Sequence, residues 1–166
     1  RFVIDAATGQ LSVAAGASFD FEQAGAHRIT VRLTDAAGNT ADVQLSIAVS
    51  NANDAPTGSV TITGKVAQGE TLKASNDLRD QDGLGTVTYQ WLRDGQAIEG
   101  ATGERYTLTQ ADVGKGLTVR ASYVDQFGHA ESRTSAATAA VDNANDAPTG
   151  SVTLSGTAAM GQVLRA

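Results

Sequence analysis

The sequence predicts an all-β chain of tandem β-sandwich modules, and three observations lead there. Apolar and polar residues alternate along short runs. Turn signals rich in Gly, Asp and Asn separate those runs about every ten residues. One string of letters occurs twice.

The repeated string is Asn51-Ala52-Asn53-Asp54-Ala55-Pro56-Thr57-Gly58-Ser59-Val60-Thr61, which returns letter for letter at residues 143–153. Beyond it Gly64, Ala67, Gly69, Leu72 and Ala74 recur as Gly156, Ala159, Gly161, Leu164 and Ala166, so the period is 143 − 51 = 92 residues. That is the length of one small β-domain, as in an array of repeats. On this period residues 51–142 form a complete module, residues 1–50 the C-terminal part of a preceding one, and residues 143–166 the first strands of the next. The chain reads as an excerpt of a longer array, whose incomplete ends would either disorder or pair between molecules by strand exchange. The string itself falls at the junctions. Its proline fixes φ and disfavours helix in the residue before it. Its amide and carboxylate oxygens are hard ligands, and an extended, stiff, oxygen-rich segment is what a calcium-clamped linker requires.

Residues 1–50 open with Phe2-Val3-Ile4 and Leu11-Ser12-Val13 around a Thr8-Gly9 turn, a predicted hairpin. A second hairpin comes after it. Ile29, Val31 and Leu33 share one face, Val43, Leu45, Ile47 and Val49 another, and Asp35-Ala36-Ala37-Gly38-Asn39 turns between them. In the complete module Val60 and Ile62 alternate, then Leu72 and Ala74, then Val87, Tyr89 and Trp91. Arg93-Asp94-Gly95-Gln96 carries the Asp-Gly signature of a tight hairpin turn. Tyr106 and Leu108 come next, then Leu117, Val119, Ala121 and Tyr123 in alternation, a turn at Phe127-Gly128, and a last strand to about Val141. Seven or so short strands make a sandwich. Trp91 and Met160 read as core residues.

Two resemblances sharpen this reading. Phe2-x-Ile4-Asp5, Thr8-Gly9-x-Leu11, Phe19-Asp20-Phe21-Glu22, Thr34-Asp35, Gly38-Asn39 and Asn51-x-Asn53-Asp54-Ala55-Pro56 together resemble the C-terminal part of a cadherin-type repeat of large bacterial surface adhesins. In that family the matching positions supply calcium oxygens at the domain boundary, which implies Glu22, Asp35, Asn51, Asn53 and Asp54 here. Asn51 stands where the family usually has Asp, and one residue is missing between Asp54 and Pro56; a neutral ligand lowers affinity. Most of residues 59–142, through Tyr89-Gln90-Trp91-Leu92-Arg93-Asp94-Gly95, Gly100-Ala101-Thr102 and Tyr106-Thr107-Leu108-Thr109-Gln110-Ala111-Asp112-Val113-Gly114, is similar to the immunoglobulin-like repeats of the same secreted adhesins. The resemblance implies Greek-key cadherin-like or immunoglobulin-like sandwiches and, for the whole protein, type I secretion to the cell surface.

The densest acidic stretch is Asn76-Asp77-Leu78-Arg79-Asp80-Gln81-Asp82-Gly83. An EF-hand loop with Gly83 sixth would begin at Leu78 and end at Tyr89, where that loop needs Asp and Glu. Asp80 and Asp82 either join the junction oxygens around calcium or only start turns. At the second junction Asp125, placed before Gly128 as Asp35 is before Gly38, would act with Asn143, Asn145 and Asp146, and Glu131 reads as a solvated strand carboxylate. The bland alternative is a rigid proline linker with no ion.

Composition narrows the partners. A net charge of −6 with three lysines argues against nucleic acid, whose phosphates demand clustered cations. No stretch approaches the roughly 18 apolar residues of a membrane helix. Cysteine is absent, so stability in an oxidising compartment would come from something other than disulfides. His27 and His129 belong to no G-x-S-x-G or H-E-x-x-H pattern, and no activated nucleophile is marked, so an enzyme is not expected. The expectation is an extracellular, calcium-stabilised extender repeat of a bacterial surface adhesin in biofilm or cell adhesion, whose partners are neighbouring repeats of its own chain, with homophilic contacts open. The alternative is a sugar- or protein-binding module, alone or beside a secreted enzyme, which would show exposed aromatic clusters.

Overall fold

The computed structural model describes residues 1–156, 158–161 and 163, and every regular element but one short 3₁₀ turn is a β-strand. In residues 1–50, β1 (Phe2–Ile4) pairs antiparallel with β2 (Leu11–Val13). There β3 (Ala26–Thr34) pairs with β4 (Thr40–Ala48) from Ala26↔Ala48 to Thr34↔Thr40. The expected turn at residues 35–39 closes this long hairpin. The Asp35 carboxylate caps it by accepting the N–H groups of Ala37 and Asn39 at 2.9 and 2.8 Å.

The core lies further along the chain. One sheet has the order β5 (Val60–Thr63), β6 (Thr71–Asn76), β9 (Arg105–Thr107). The other runs β11 (Ala130–Thr134), β10 (Leu117–Val124), β7 (Thr88–Arg93), β8 (Gln96–Ala97). Period two explains how they meet. Val60, Leu72 and Ala74 from the first sheet close on Trp91, Leu117, Val119, Ala121 and Tyr123 from the second, a single buried cluster. The Trp91 indole N–H donates to the Gly103 carbonyl at 2.9 Å, so the largest core side chain buries no unsatisfied donor. Between β7 and β8, Asp94 (φ 46°) and Gly95 (φ 81°) both take the left-handed backbone that a two-residue turn twisted to match its strands requires.

Three expectations change. The last strand stops at Thr134, short of Val141, because side chains replace the ladder: the Ser135 hydroxyl accepts the Val119 N–H and the Thr138 hydroxyl the Leu117 N–H, both at 3.0 Å. Met160 is fully exposed and is no core residue, since no described neighbour covers it. Beyond residue 142 no strand forms among the described residues, only an isolated bridge at Ser155, while Leu164 and Ala166 lie outside them.

A buried ion pair ties the ends of the two sheets together. Asp112, in the 3₁₀ turn Gln110–Asp112 just before β10, is fully buried. It accepts the Arg93 Nε–H at 2.6 Å, the Tyr106 hydroxyl at 3.0 Å, and the Thr109 N–H and hydroxyl at 2.7 and 2.8 Å. Burial works against this charge, but the Thr109 N–H, the Arg93 guanidinium and the two hydroxyls outweigh it and hold the carboxyl below its ordinary value of 3.8. Stability from a lowered carboxylate is complete above that ordinary value and is lost as pH falls through the lowered one. Asp112→Asn should therefore cost about 3 kcal/mol in urea unfolding at pH 7, the low end for breaking a buried pair because Arg93 is partly solvated. The gap between wild type and variant should narrow as the pH drops below 3.8.

Candidate functional site

The seam between residues 1–50 and the core sheets gathers three carboxylates from three separate segments. Glu22 precedes β3, Asp54 sits in the repeated string, and Asp82 lies in the loop between β6 and β7. One oxygen from each lies within 4.8 Å of the others. Each has a local reason to be there. Asp82 is 1% exposed because its loop is pressed against the end of β10: the Gln126 N–H donates to the Asp82 carbonyl at 3.2 Å, and a Cβ on Gly85 would collide with the Val124 carbonyl oxygen. Asp54 is set by its own backbone, whose N–H donates to Asp82 Oδ2 at 2.6 Å. Glu22 follows Phe21, whose ring meets Phe127 edge-on at 5.6 Å from across the seam. Phe19, Glu22, Ser50, Asn53, Asp54 and Gln81 line a cleft of about 280 Å³ there.

The electrostatics of the cluster are unbalanced. Among the described residues no lysine, arginine or histidine pairs with any of the three carboxylates. The Glu22 backbone N–H stabilises its carboxylate, yet desolvation and the charges of Asp82, Asp54 and Asp20 prevail and raise its pKa. Asn51 adds a second irregularity. Its Nδ2 donates to Asp82 Oδ1 at 2.8 Å, while its own Oδ1 is buried with no hydrogen-bond partner. Buried acceptors without donors are rare. Three converging carboxylates are hard oxygen donors of the kind that could hold a divalent cation, and the orphaned amide oxygen belongs to the residue bonded to Asp82.

Other expected ligands are placed elsewhere. Asn53 lines the cleft, but its Nδ2 is engaged by Glu131 Oε1 at 2.8 Å, so Glu131 is a linker contact as well as a strand carboxylate. Asp80 stands behind the cluster; it accepts the Asp82 N–H at 2.9 Å and the Tyr123 hydroxyl, and so positions the Asp82 loop. Asp35 lies at the far end of the β3–β4 hairpin from the seam. At about 3.4 Å per residue, the eight steps of β3 separate them by some 27 Å, so Asp35 stands outside the carboxylate cluster. Asp125 does not join Asn143, Asn145 and Asp146 as the sequence predicts, because β10 places it at the opposite pole from them. It caps its own turn instead, accepting the N–H groups of Phe127 and His129 at 2.8 Å each and the His129 ring at 3.0 Å. At the second junction Asn143, Asn145 and Asp146 are exposed; Asp146 accepts Gln68 Nε2 at 3.2 Å, and no further carboxylate approaches among the described residues.

Sequence reasoning missed Phe21 against Phe127, and the Arg133 guanidinium on the Pro56 carbonyl, whose Nε–O distance is 3.1 Å. Neither carries a local signal, since each partner is remote in the chain. No helix among the described residues is long and apolar enough to cross a membrane. No protein family, curated protein or solved structure matches the chain.

Calorimetric titration should resolve the ligand set. Glu22→Gln and Asp82→Asn should each weaken calcium binding tenfold or more, which is about 1.4 kcal/mol. Asp35→Asn and Asp125→Asn should leave the affinity within about twofold and weaken only their own turns.

Proposed function

We propose that this chain is an extender segment of a calcium-stabilised bacterial surface adhesin, in which cadherin-like and immunoglobulin-like sandwiches hold a distal binding domain away from the cell. The observation that carries the reading is the convergence of Glu22, Asp54 and Asp82 from both sides of the seam and the linker between them. A site made by one module alone would stabilise that module. A site made by two sets the angle between them.

The action is mechanical. Without a cation, Glu22 is repelled by Asp54 and Asp82, and the seam opens on that side. A divalent ion held by Glu22, Asp54 and Asp82 would supply the positive charge that no lysine or arginine provides among the described residues. Calcium suits this donor set because it accepts many oxygens in flexible geometry. With sites of the extracellular kind, binding at about 10⁻⁴–10⁻³ M, tenfold excess over Kd adds about 1.4 kcal/mol to the ordered state. That is modest at one seam and accumulates along an array. Placement outside the cell accords with the absence of cysteine and with acidity, both tolerable where millimolar calcium is constant.

The second reading, a glycan- or protein-binding module, draws on one observation, the aromatic and acidic cleft of Phe19, Phe21, Glu22 and Asp54. Small-angle scattering of the chain with millimolar calcium and then with chelator separates them. A maximum dimension that is fixed with calcium and broadens on chelation supports the extender. An unchanged profile, with retention on a glycan array, would replace it with the binding module.

A further inference from the structure

The linker is bonded on one side only. Six of its residues are tied to the downstream module. Asn51 Nδ2 and the Asp54 N–H donate to Asp82 at 2.8 and 2.6 Å, and Asn53 Nδ2 donates to Glu131 at 2.8 Å. The Pro56 carbonyl accepts Arg133 Nε–H at 3.1 Å. Thr57 and Arg79 exchange backbone hydrogen bonds at 2.8 and 3.0 Å, and the Ser59 N–H and hydroxyl donate to Asp77 at 2.6 and 3.0 Å. Gly58 lets this close approach happen, since a Cβ there would stand 2.5 Å from the Asp77 carbonyl oxygen.

Nothing comparable reaches back. No hydrogen bond or ion pair joins described residues 1–50 to the linker or to anything after it; the last tie is internal, from the Val49 N–H to the Gly25 carbonyl at 3.0 Å. Across the seam the Phe21 ring meets the Phe127 ring edge-on, beside the mutually repelling carboxylates.

We infer that the linker is a rigid part of the downstream module and that the seam is a one-sided hinge. Residues 1–50 swing as a unit about the bond between Ser50 and the docked Asn51, and a divalent cation bridging Glu22 to the docked Asp54 and Asp82 is the clasp that stops them. This rests on the proposed ion for the clasp, while the docking of the linker does not need it. The asymmetry has a physical basis: the downstream bonds are neutral or charge-assisted contacts satisfied without metal, whereas the upstream contribution is a bare carboxylate facing two others.

The absence of native cysteine makes spin labelling direct. Two doubly labelled proteins are needed, Gln44→Cys with Glu99→Cys to span the seam, and Ala55→Cys with Glu99→Cys to report the linker against its module. With calcium, electron–electron distance distributions of both pairs should be narrow. On chelation the 44–99 distribution should broaden at least twofold while 55–99 keeps its width, and Glu22→Gln with calcium present should reproduce the chelated 44–99 result. Broadening of both pairs would overturn the inference, because the ion would then be holding the linker too. Two narrow distributions under chelation would overturn it as well, because the aromatic contact would suffice. Terbium titration of the same proteins separates the two ideas: no ion bound, with 44–99 broad and 55–99 narrow throughout, would remove the extender mechanism and leave the one-sided hinge standing.

Discussion

A carboxylate taken out of water must be answered by donors or by a cation, and Asp82 is the one on which the seam depends. Its loop is fixed by the core, through the Tyr123 hydroxyl on Asp80 and the Asp82 carbonyl on Gln126. Its two oxygens then draw in the linker, one through the Asn51 amide and one through the Asp54 N–H. Both are single, neutral donors, and the same acceptor also faces the charges of Asp54 and Glu22. The core thus determines where the linker lies, and the surplus of negative charge determines what the seam requires.

Two of the three buried aspartates of this module, Asp112 and Asp82, illustrate opposite solutions. Asp112 has a guanidinium, two hydroxyls and an N–H, and its pKa falls despite burial. It holds β7 and the start of β10 together with no further partner. Among the described residues no guanidinium pairs with Asp82, and the neighbouring Glu22 is pushed toward protonation. Similar burial yields a structural ion pair in one place and a candidate cation site in the other, and the difference is the sign of the nearest fixed charge.

That contrast also separates the two copies of the repeated string. At the first copy the preceding residues present Glu22, an exposed carboxylate beside the seam. At the corresponding point before β10, the acid is Asp112, turned inward and saturated. The chain entering the second copy is held by backbone instead, Val141 to Lys115 and Gly114, Asp142 to Val66 and Gln68. Identical linkers therefore meet different upstream surfaces, and eleven shared letters do not imply equal joints.

Alternation alone disclosed the strands, because a half-buried strand must repeat every two residues whatever it packs against. Leu117, Val119, Ala121 and Tyr123 are buried as their parity requires, and the Asp94-Gly95 turn follows from its dihedral demands. The seam's oxygen donors were legible by other means: Asn51 and Asp54 by the repeated string, Asp82 by the dense acidic stretch, and Glu22 only through the resemblance to a cadherin-type repeat. Their grouping was not. Whether Asp35 or Asp82 completes the cluster depends on which end of a strand faces the junction, and Asp125 looked like the partner of a linker that lies at the other pole. Those assignments are made by strand direction and sheet packing, which bring together residues some tens of positions apart. Local sequence determined which residues offer oxygens to a cation; only the tertiary arrangement decided which of them could share one, because coordination is a matter of a few ångströms between segments the chain order leaves unrelated.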